Sequence, residues 1–140
     1  FIVKAHLRAV HRIYYREKFS CRWGVTPMPQ PYIVIELAQR QLSLYQDHKL
    51  RYQFPIAIGK SQTPTPVGNW HIINKKILPD SGVFGSRWLG LNRPGYGIHG
   101  TNQPHAIGSA VSLGCIRMHN AHVEQLFEAV AIGTPVIITP

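Results

Sequence analysis

The sequence predicts a compact, mainly β fold with one or two short helices, and three observations point to it. Between Tyr32 and Ile58 short apolar runs recur, and Gln41–Tyr45 alternates cleanly, the period of half-buried strands. Turns of only a few polar residues separate these runs, which favours antiparallel pairing. One stretch near 121–130 departs from that pattern and spaces Val123, Leu126, Phe127 and Val130 along one face of a helix.

Taken in order, Tyr32–Leu37 reads as a first strand and Gln41–Tyr45 as a second. Asp47-His48-Lys49 forms a turn into a third strand, Leu50–Ile58, ending at Gly59. Thr63-Pro64-Thr65-Pro66-Val67-Gly68 makes a rigid loop because two prolines lock φ, and the strand Asn69–Asn74 follows. Residues 79–97 are rich in Gly and Pro and carry Phe84, Trp88 and Tyr96. They read as a long loop walling a binding cleft. Asn120 is placed to cap the helix, Gly133 to end it, and Thr134–Thr139 to close the chain as a last strand.

Residues 1–31 differ in character. Ile2, Val3, Ala5, Leu7, Ala9, Val10, Ile13 and Tyr14 lie among basic residues over 1–19. That pattern is a basic amphipathic helix, read as solvated or frayed, with a membrane-surface or wall-binding segment as the alternative. Three prolines within Gly24–Pro31 mark a linker. The boundary therefore divides a basic N-terminal segment, 1–31, from a domain over 32–140. Lys4, His6, Arg8, His11 and Arg12 break any apolar run, so residues 1–20 do not read as a signal peptide. No stretch reaches the eighteen or so apolar residues of a membrane span.

The chain has 140 residues, 44% of them hydrophobic and 15% charged, a globular balance that excludes a disordered chain. Fifteen Lys and Arg against six Asp and Glu give a net charge of +9. Such a charge favours an anionic partner: nucleic acid, acidic lipid or an anionic wall polymer. The basic residues Lys75, Lys76, Arg87 and Arg93 are scattered and no nucleic-acid-binding pattern accompanies them. Nucleic acid is therefore not expected as a partner, and a non-enzymatic basic module stays as a competing reading.

Two segments carry the chemistry: His99-Gly100-Thr101 and Ser112-Leu113-Gly114-Cys115-Ile116-Arg117-Met118. Cysteine occurs twice only, at Cys21 and Cys115. A glycine-framed thiol with a histidine sixteen residues earlier fits nucleophilic catalysis, since a thiolate forms where an imidazole or another positive charge favours it. A disulfide would consume that nucleophile, so both thiols are expected reduced, with Cys21 a structural bystander. A zinc site is the rival from the same residues: Cys115, His119 and His122 are spaced C-x3-H-x2-H, and His99 or His105 could complete the set. No second cysteine pair supports it, and neither a metal nor a cofactor is expected.

Gly97-Ile98-His99-Gly100-Thr101 with Ser112–Met118 resembles the signature of the L,D-transpeptidase catalytic domain family, of YkuD type. Gly59-Lys60, Thr65-Pro66-Val67-Gly68-Asn69-Trp70 and Gly133-Thr134-Pro135-Val136 extend the likeness over about 32–140. It implies the family's compact β-sandwich of mixed strands and an extracytoplasmic bacterial enzyme of peptidoglycan biosynthesis. It implies further that Cys115 takes the acyl group of a stem tetrapeptide as a thioester, releasing D-alanine. An amine of a second stem peptide then resolves the thioester into a 3–3 cross-link, or water does so in an L,D-carboxypeptidase. By the same resemblance His99 is the base, the Gly100 carbonyl orients its ring, and the amides at Gly114 and Cys115 hold the oxyanion. Ser112, Arg117, Trp88 and Tyr96 are candidates for substrate binding, with loop bracing, an ion pair or core packing as their alternatives. Leu113 stands where many members have histidine, and His122 where relatives often have an acid.

Overall fold

The computed structural model describes residues 31–79 and 82–140. The expectations for the segment 1–19, for Cys21 and for the linker up to Gln30 lie outside the described residues. Those described form strands β1 (Tyr32–Glu36), β2 (Gln41–Gln46), β3 (Lys49–Pro55), β4 (Ile58–Gly59) and β5 (Gly68–Ile77). After them come β6 (Arg87–Leu91), β7 (Gly97–His99), β8 (Ala110–Ser112), β9 (Ile116–Arg117), helix α1 (Asn120–Ala129) and β10 (Pro135–Thr139). Eight strands build one mixed sheet in the order β3-β2-β1-β10-β5-β6-β7-β9, and β4 and β8 pair parallel in a separate ladder.

The first three strands form the antiparallel meander that their short turns favour. Arg40, Asp47 and His48 adopt positive φ in those turns. β1 is buried on both faces, which is why it reads as an unbroken apolar run. Ile33 and Ile35 point into the main core, whereas Tyr32 and Val34 join Tyr45 and Ile137 on the opposite side. Tyr32 and Tyr45 stack there at 5.4 Å. The main core gathers Leu42, Leu44, Ile72, Leu89, Ile98 and Ile116 from the sheet with Val123, Leu126 and Val130 from the helical segment. Each such side chain, fully buried, stabilises the fold by roughly 1.5–3 kcal/mol. α1 packs on β6 and β7, so the helix backs the strands that carry the histidine. Its last turn is held by Lys75, whose Nζ donates to the Phe127 and Val130 carbonyls at 2.7 and 2.8 Å. Those carbonyls have no partner within the helix.

Three elements differ from the sequence expectation. The third strand stops at Pro55: Ile56 N donates to the Arg40 carbonyl, and Ala57 pairs with Arg117 through both backbone groups. The chain then re-forms as β4 beside β8. The loop expected over 79–97 contains β6, paired on both edges by β5 and β7. Gly90 made that stretch look like a loop, yet it is glycine for packing, since a Cβ there would lie 2.3 Å from Asn74 Oδ1. Finally the helix is capped at His119 and without a side-chain bond, so Asn120 is not its cap.

Candidate active site

Parallel pairing of β7 with β9 brings the two motifs together. Ile98 lies opposite Ile116 and His99 opposite Arg117. Because side chains alternate across a strand, His99, Cys115 and Arg117 project from the same face. Cys115 sits just before β9, level with Gly97, as the diagonal neighbour of His99.

Ser112 and Gly114 build the turn that presents the sulfur. Gly114 has φ +122, a backbone that L side chains rarely adopt, and a Cβ there would come 2.5 Å from Tyr96 Cε1. The Tyr96 ring thus rests directly on the glycine. Ser112 is wholly buried. Its hydroxyl donates to the Cys115 carbonyl at 2.6 Å and accepts the Gly114 amide at 3.0 Å. Ser112 therefore braces the loop, the alternative reading of this residue, with its hydroxyl both donating and accepting inside the turn. Of the two amides expected at the oxyanion, that of Gly114 donates to Ser112 Oγ, whereas no hydrogen bond within the described residues occupies the Cys115 amide.

The sulfur of Cys115 lies between two backbone groups. Its S–H reaches the Gly95 carbonyl at 3.7 Å. The Gly97 amide also faces it and would donate to the thiolate. Burial pushes the thiol above its ordinary value of 9.0, although the Gly97 amide and the Arg117 charge pull the other way.

His99 is buried, and its Nδ1 lies 2.6 Å from the Gly100 carbonyl. A carbonyl only accepts, so Nδ1 carries the proton and Nε2 keeps the free lone pair. Burial lowers the imidazole to about 4; the Gly100 bond opposes this and the neighbouring Arg117 charge adds to it. At neutral pH the ring is uncharged. Trp88 stacks on it at 5.6 Å, and Phe84 meets it edge-on at 5.0 Å. The Trp88 indole donates to Asn74 Oδ1, so Trp88 supports the histidine ring from β6.

Asn120 is a residue of this site that the sequence assigned to another task. Its Oδ1 accepts the amides of Ser86 and Thr101 at 3.2 and 3.1 Å. One carbonyl thereby ties the loop bearing Phe84 to the chain leaving His99. Gly85 and Gly100 crowd against it, since a Cβ at either would lie 2.1 Å from Oδ1. The signal was the pair of glycines facing a small amide residue, visible only once the chain is folded.

Arg117 forms no ion pair with a described residue, and its Nε is buried without a partner. The zinc rival finds no geometry: among the described residues no three His, Cys, Asp or Glu side chains gather to hold a metal ion. His122 instead stacks on Phe54 at 4.7 Å, with His119 edge-on at 5.3 Å. No helix of the described residues is long and apolar enough to cross a membrane.

Comparison with known proteins places this arrangement. The L,D-transpeptidase catalytic domain family, YkuD, matches residues 30–138. A curated Bacillus licheniformis protein named as the L,D-transpeptidase YkuD is 50% identical over 111 residues, covering 79% of this chain and 67% of its own length. The catalytic domain of an Enterococcus faecium L,D-transpeptidase superposes with a TM-score of 0.67 at 28% identity, over 81% of this chain and 99% of that one. An L,D-transpeptidase structure from Mycobacterium smegmatis gives a TM-score of 0.71 at 19% identity, a likeness of fold, over 80% of this chain and 59% of that one. The chain thus spans about two thirds of that curated relative and about three fifths of the mycobacterial structure. With a family match over nearly all the described residues and half-identity to a curated relative, this chain belongs to the L,D-transpeptidase catalytic domain family.

Proposed function

We propose that the chain is a peptidoglycan L,D-transpeptidase that works through a thioester on Cys115, with residues 32–140 as its catalytic domain and 1–31 as a basic segment. The observation that supports this reading is the β7–β9 pairing, whose register leaves Cys115 level with Gly97, two residues before His99, while His99 Nδ1 lies on the Gly100 carbonyl and Nε2 bonds to no described residue.

The reaction begins with a neutral pair. His99 Nε2 takes the thiol proton as the sulfur attacks the carbonyl between the third residue of a stem tetrapeptide and its terminal D-alanine. The negative oxygen that forms meets the Cys115 amide, the open donor of the nucleophile turn; removing one such donor typically costs about a hundredfold or more in rate. Collapse breaks the C–N bond, and His99 returns the proton to the departing D-alanine amine. The acceptor amine then attacks the thioester, His99 takes its proton, and the thiol is released with a new amide formed. Trp88 and Gly100 hold the imidazole in one tautomer and orientation through both halves of the cycle. The substrate places the enzyme at the bacterial cell envelope, outside the cytoplasm.

Incubation with a disaccharide tetrapeptide, followed by mass spectrometry, tests the reading. The expected products are D-alanine, an acyl adduct on the Cys115 peptide and a 3–3 cross-linked dimer. Release of tripeptide alone would assign water as the acceptor. A carbapenem should also add its mass to the intact protein. If Cys115→Ala keeps both adduct and product, the mechanism is wrong.

A further inference from the structure

Of the five arginines among the described residues, three are engaged by hydrogen bonds. Arg40 donates to the Leu37 carbonyl, Arg51 to Gln46 and Arg87 to the Ser86 carbonyl. Arg117 is the fourth, beside His99. Arg93 is different from all of them. It is exposed, and its guanidinium makes no hydrogen bond or ion pair with a described residue. Two aromatic rings nonetheless hold it, with the guanidinium 5.5 Å from the Trp70 ring and 5.3 Å from the Tyr96 ring.

Both rings are themselves fixed. The Trp70 indole donates to the Pro66 carbonyl at 3.1 Å. Tyr96 lies against Gly114, one residue before the nucleophile. The turn bearing Arg93 is tied down too: Tyr96 N donates to the Arg93 carbonyl, Asn92 N to the His71 carbonyl, and His71 N to Asn92 Oδ1. Gly95 in the same turn supplies the carbonyl that meets the Cys115 sulfur. A planar cation with its donors open is thus stacked and pre-oriented at the rim of the thiol site, one aromatic ring away from the turn that carries the sulfur. Stacking leaves the edge of a guanidinium free, and that edge matches a carboxylate in a two-point fork. Restricting its rotamers beforehand also reduces what ordering costs on binding.

We propose that Arg93, held by Trp70 and Tyr96, is a specificity residue that binds a carboxylate of the acyl donor. The proposal rests on the thioester reading only for the identity of the donor. A stem tetrapeptide offers two carboxylates near the bond to be broken, that of the terminal D-alanine and that on the side chain of diaminopimelate at the third position.

Two paired experiments test it. The first compares alkylation of Cys115 by iodoacetate and iodoacetamide, each forming a thioether and releasing iodide, read by peptide mapping so that Cys21 does not contribute. Arg93→Gln should slow iodoacetate roughly threefold to tenfold at low salt and leave iodoacetamide unchanged, and high salt should erase the difference. Arg93→Lys, which keeps the charge, should keep most of the iodoacetate rate. The second compares tetrapeptide donors. Arg93→Gln should raise KM with kcat nearly constant, and the effect should vanish for one donor only. If that donor carries a C-terminal amide, Arg93 reads D-alanine; if it carries lysine at the third position, Arg93 reads diaminopimelate. An unchanged reagent ratio, or equal slowing of both reagents, overturns the proposal even if tetrapeptide is turned over. A shifted ratio with no turnover of tetrapeptide by the unmodified protein leaves the carboxylate site standing and overturns the donor reading instead.

Discussion

Protonating His99 should destabilise this domain, and the size of the effect follows from its surroundings. The ring is 3% exposed and its protonation is depressed from 6.5 to about 4, first by burial. At about 1.4 kcal/mol per pH unit, the native state resists the proton by about 3 kcal/mol relative to the unfolded chain. The sign runs as for any depressed group. Above the unfolded value of 6.5 neither state is protonated and the full stability is present. As pH falls from 6.5 toward 4, the unfolded chain binds a proton that the native state refuses, so stability drops. Below about 4 both states are charged and the loss levels off. Other groups titrate in the same range, His122 among them, since burial and the His119 charge lower it too. The measurement is therefore a difference: denaturant unfolding of the wild type and of His99→Gln, at several pH values between about 7.5 and 4. Glutamine can still donate to the Gly100 carbonyl but cannot take up a proton. The wild-type free energy should fall about 3 kcal/mol further than that of the variant. Parallel curves would refute the account, because they would mean that the buried ring accepts a proton as readily as a solvated one.

Asn120→Ala leaves the nearly buried amides of Ser86 and Thr101 without their shared acceptor. At roughly 1–3 kcal/mol for each unsatisfied group, thermal unfolding should show a loss of about 2–6 kcal/mol, and acyl-enzyme formation should slow at least tenfold. Asn120→Asp keeps an acceptor oxygen and should retain most of the stability. Gly114→Ala forces a side chain into φ +122 and against Tyr96 at 2.5 Å. Acylation, followed by intact mass, should fall by about tenfold or more, and Tyr96→Ala in the same chain should restore part of it by removing the overlap. Cys115 alkylation by iodoacetamide should have its pH midpoint above the ordinary thiol value of 9.0, since burial is the largest influence on the sulfur. A midpoint near neutrality would mean that the resting enzyme already holds a thiolate.

Much of this was legible in the chain itself, because short-range patterns govern it. The apolar run of Tyr32–Glu36, the alternation in Gln41–Gln46, the 3.6-residue spacing through Val123 and Leu126, and the glycine-framed thiol each depend on neighbours in sequence. What was not legible depends on partners far away. Gly90 reads as a loop residue until Asn74 is seen occupying the space of its Cβ. Asn120 reads as a helix cap until the loop at Ser86, 34 residues earlier, is folded against it. Ser112 could have faced substrate until its hydroxyl was found closing the turn between Gly114 and Cys115. Arg93 looked like one of several scattered charges, and only the convergence of Trp70 and Tyr96 sets it apart.

On the thioester mechanism proposed above, the two perturbed groups of the site also decide how its catalytic power is stored. Burial raises Cys115 and lowers His99, so it penalises both halves of a thiolate–imidazolium pair. Arg117 does not reverse this, since its charge favours the thiolate while disfavouring the imidazolium, and over the pair these effects oppose each other. The resting site is therefore a neutral thiol beside a neutral base. Proton transfer becomes favourable when the negative charge moves off sulfur and onto an oxygen that the Cys115 amide can hold. The Gly100 carbonyl has a part in that step: it accepts the Nδ1 proton at 2.6 Å, and its bond strengthens as the ring becomes positive. A backbone carbonyl is thus enough to orient the base here without placing a permanent negative charge in a buried site. The same arrangement keeps the sulfur protonated, and so less open to oxidation, until an acyl donor arrives.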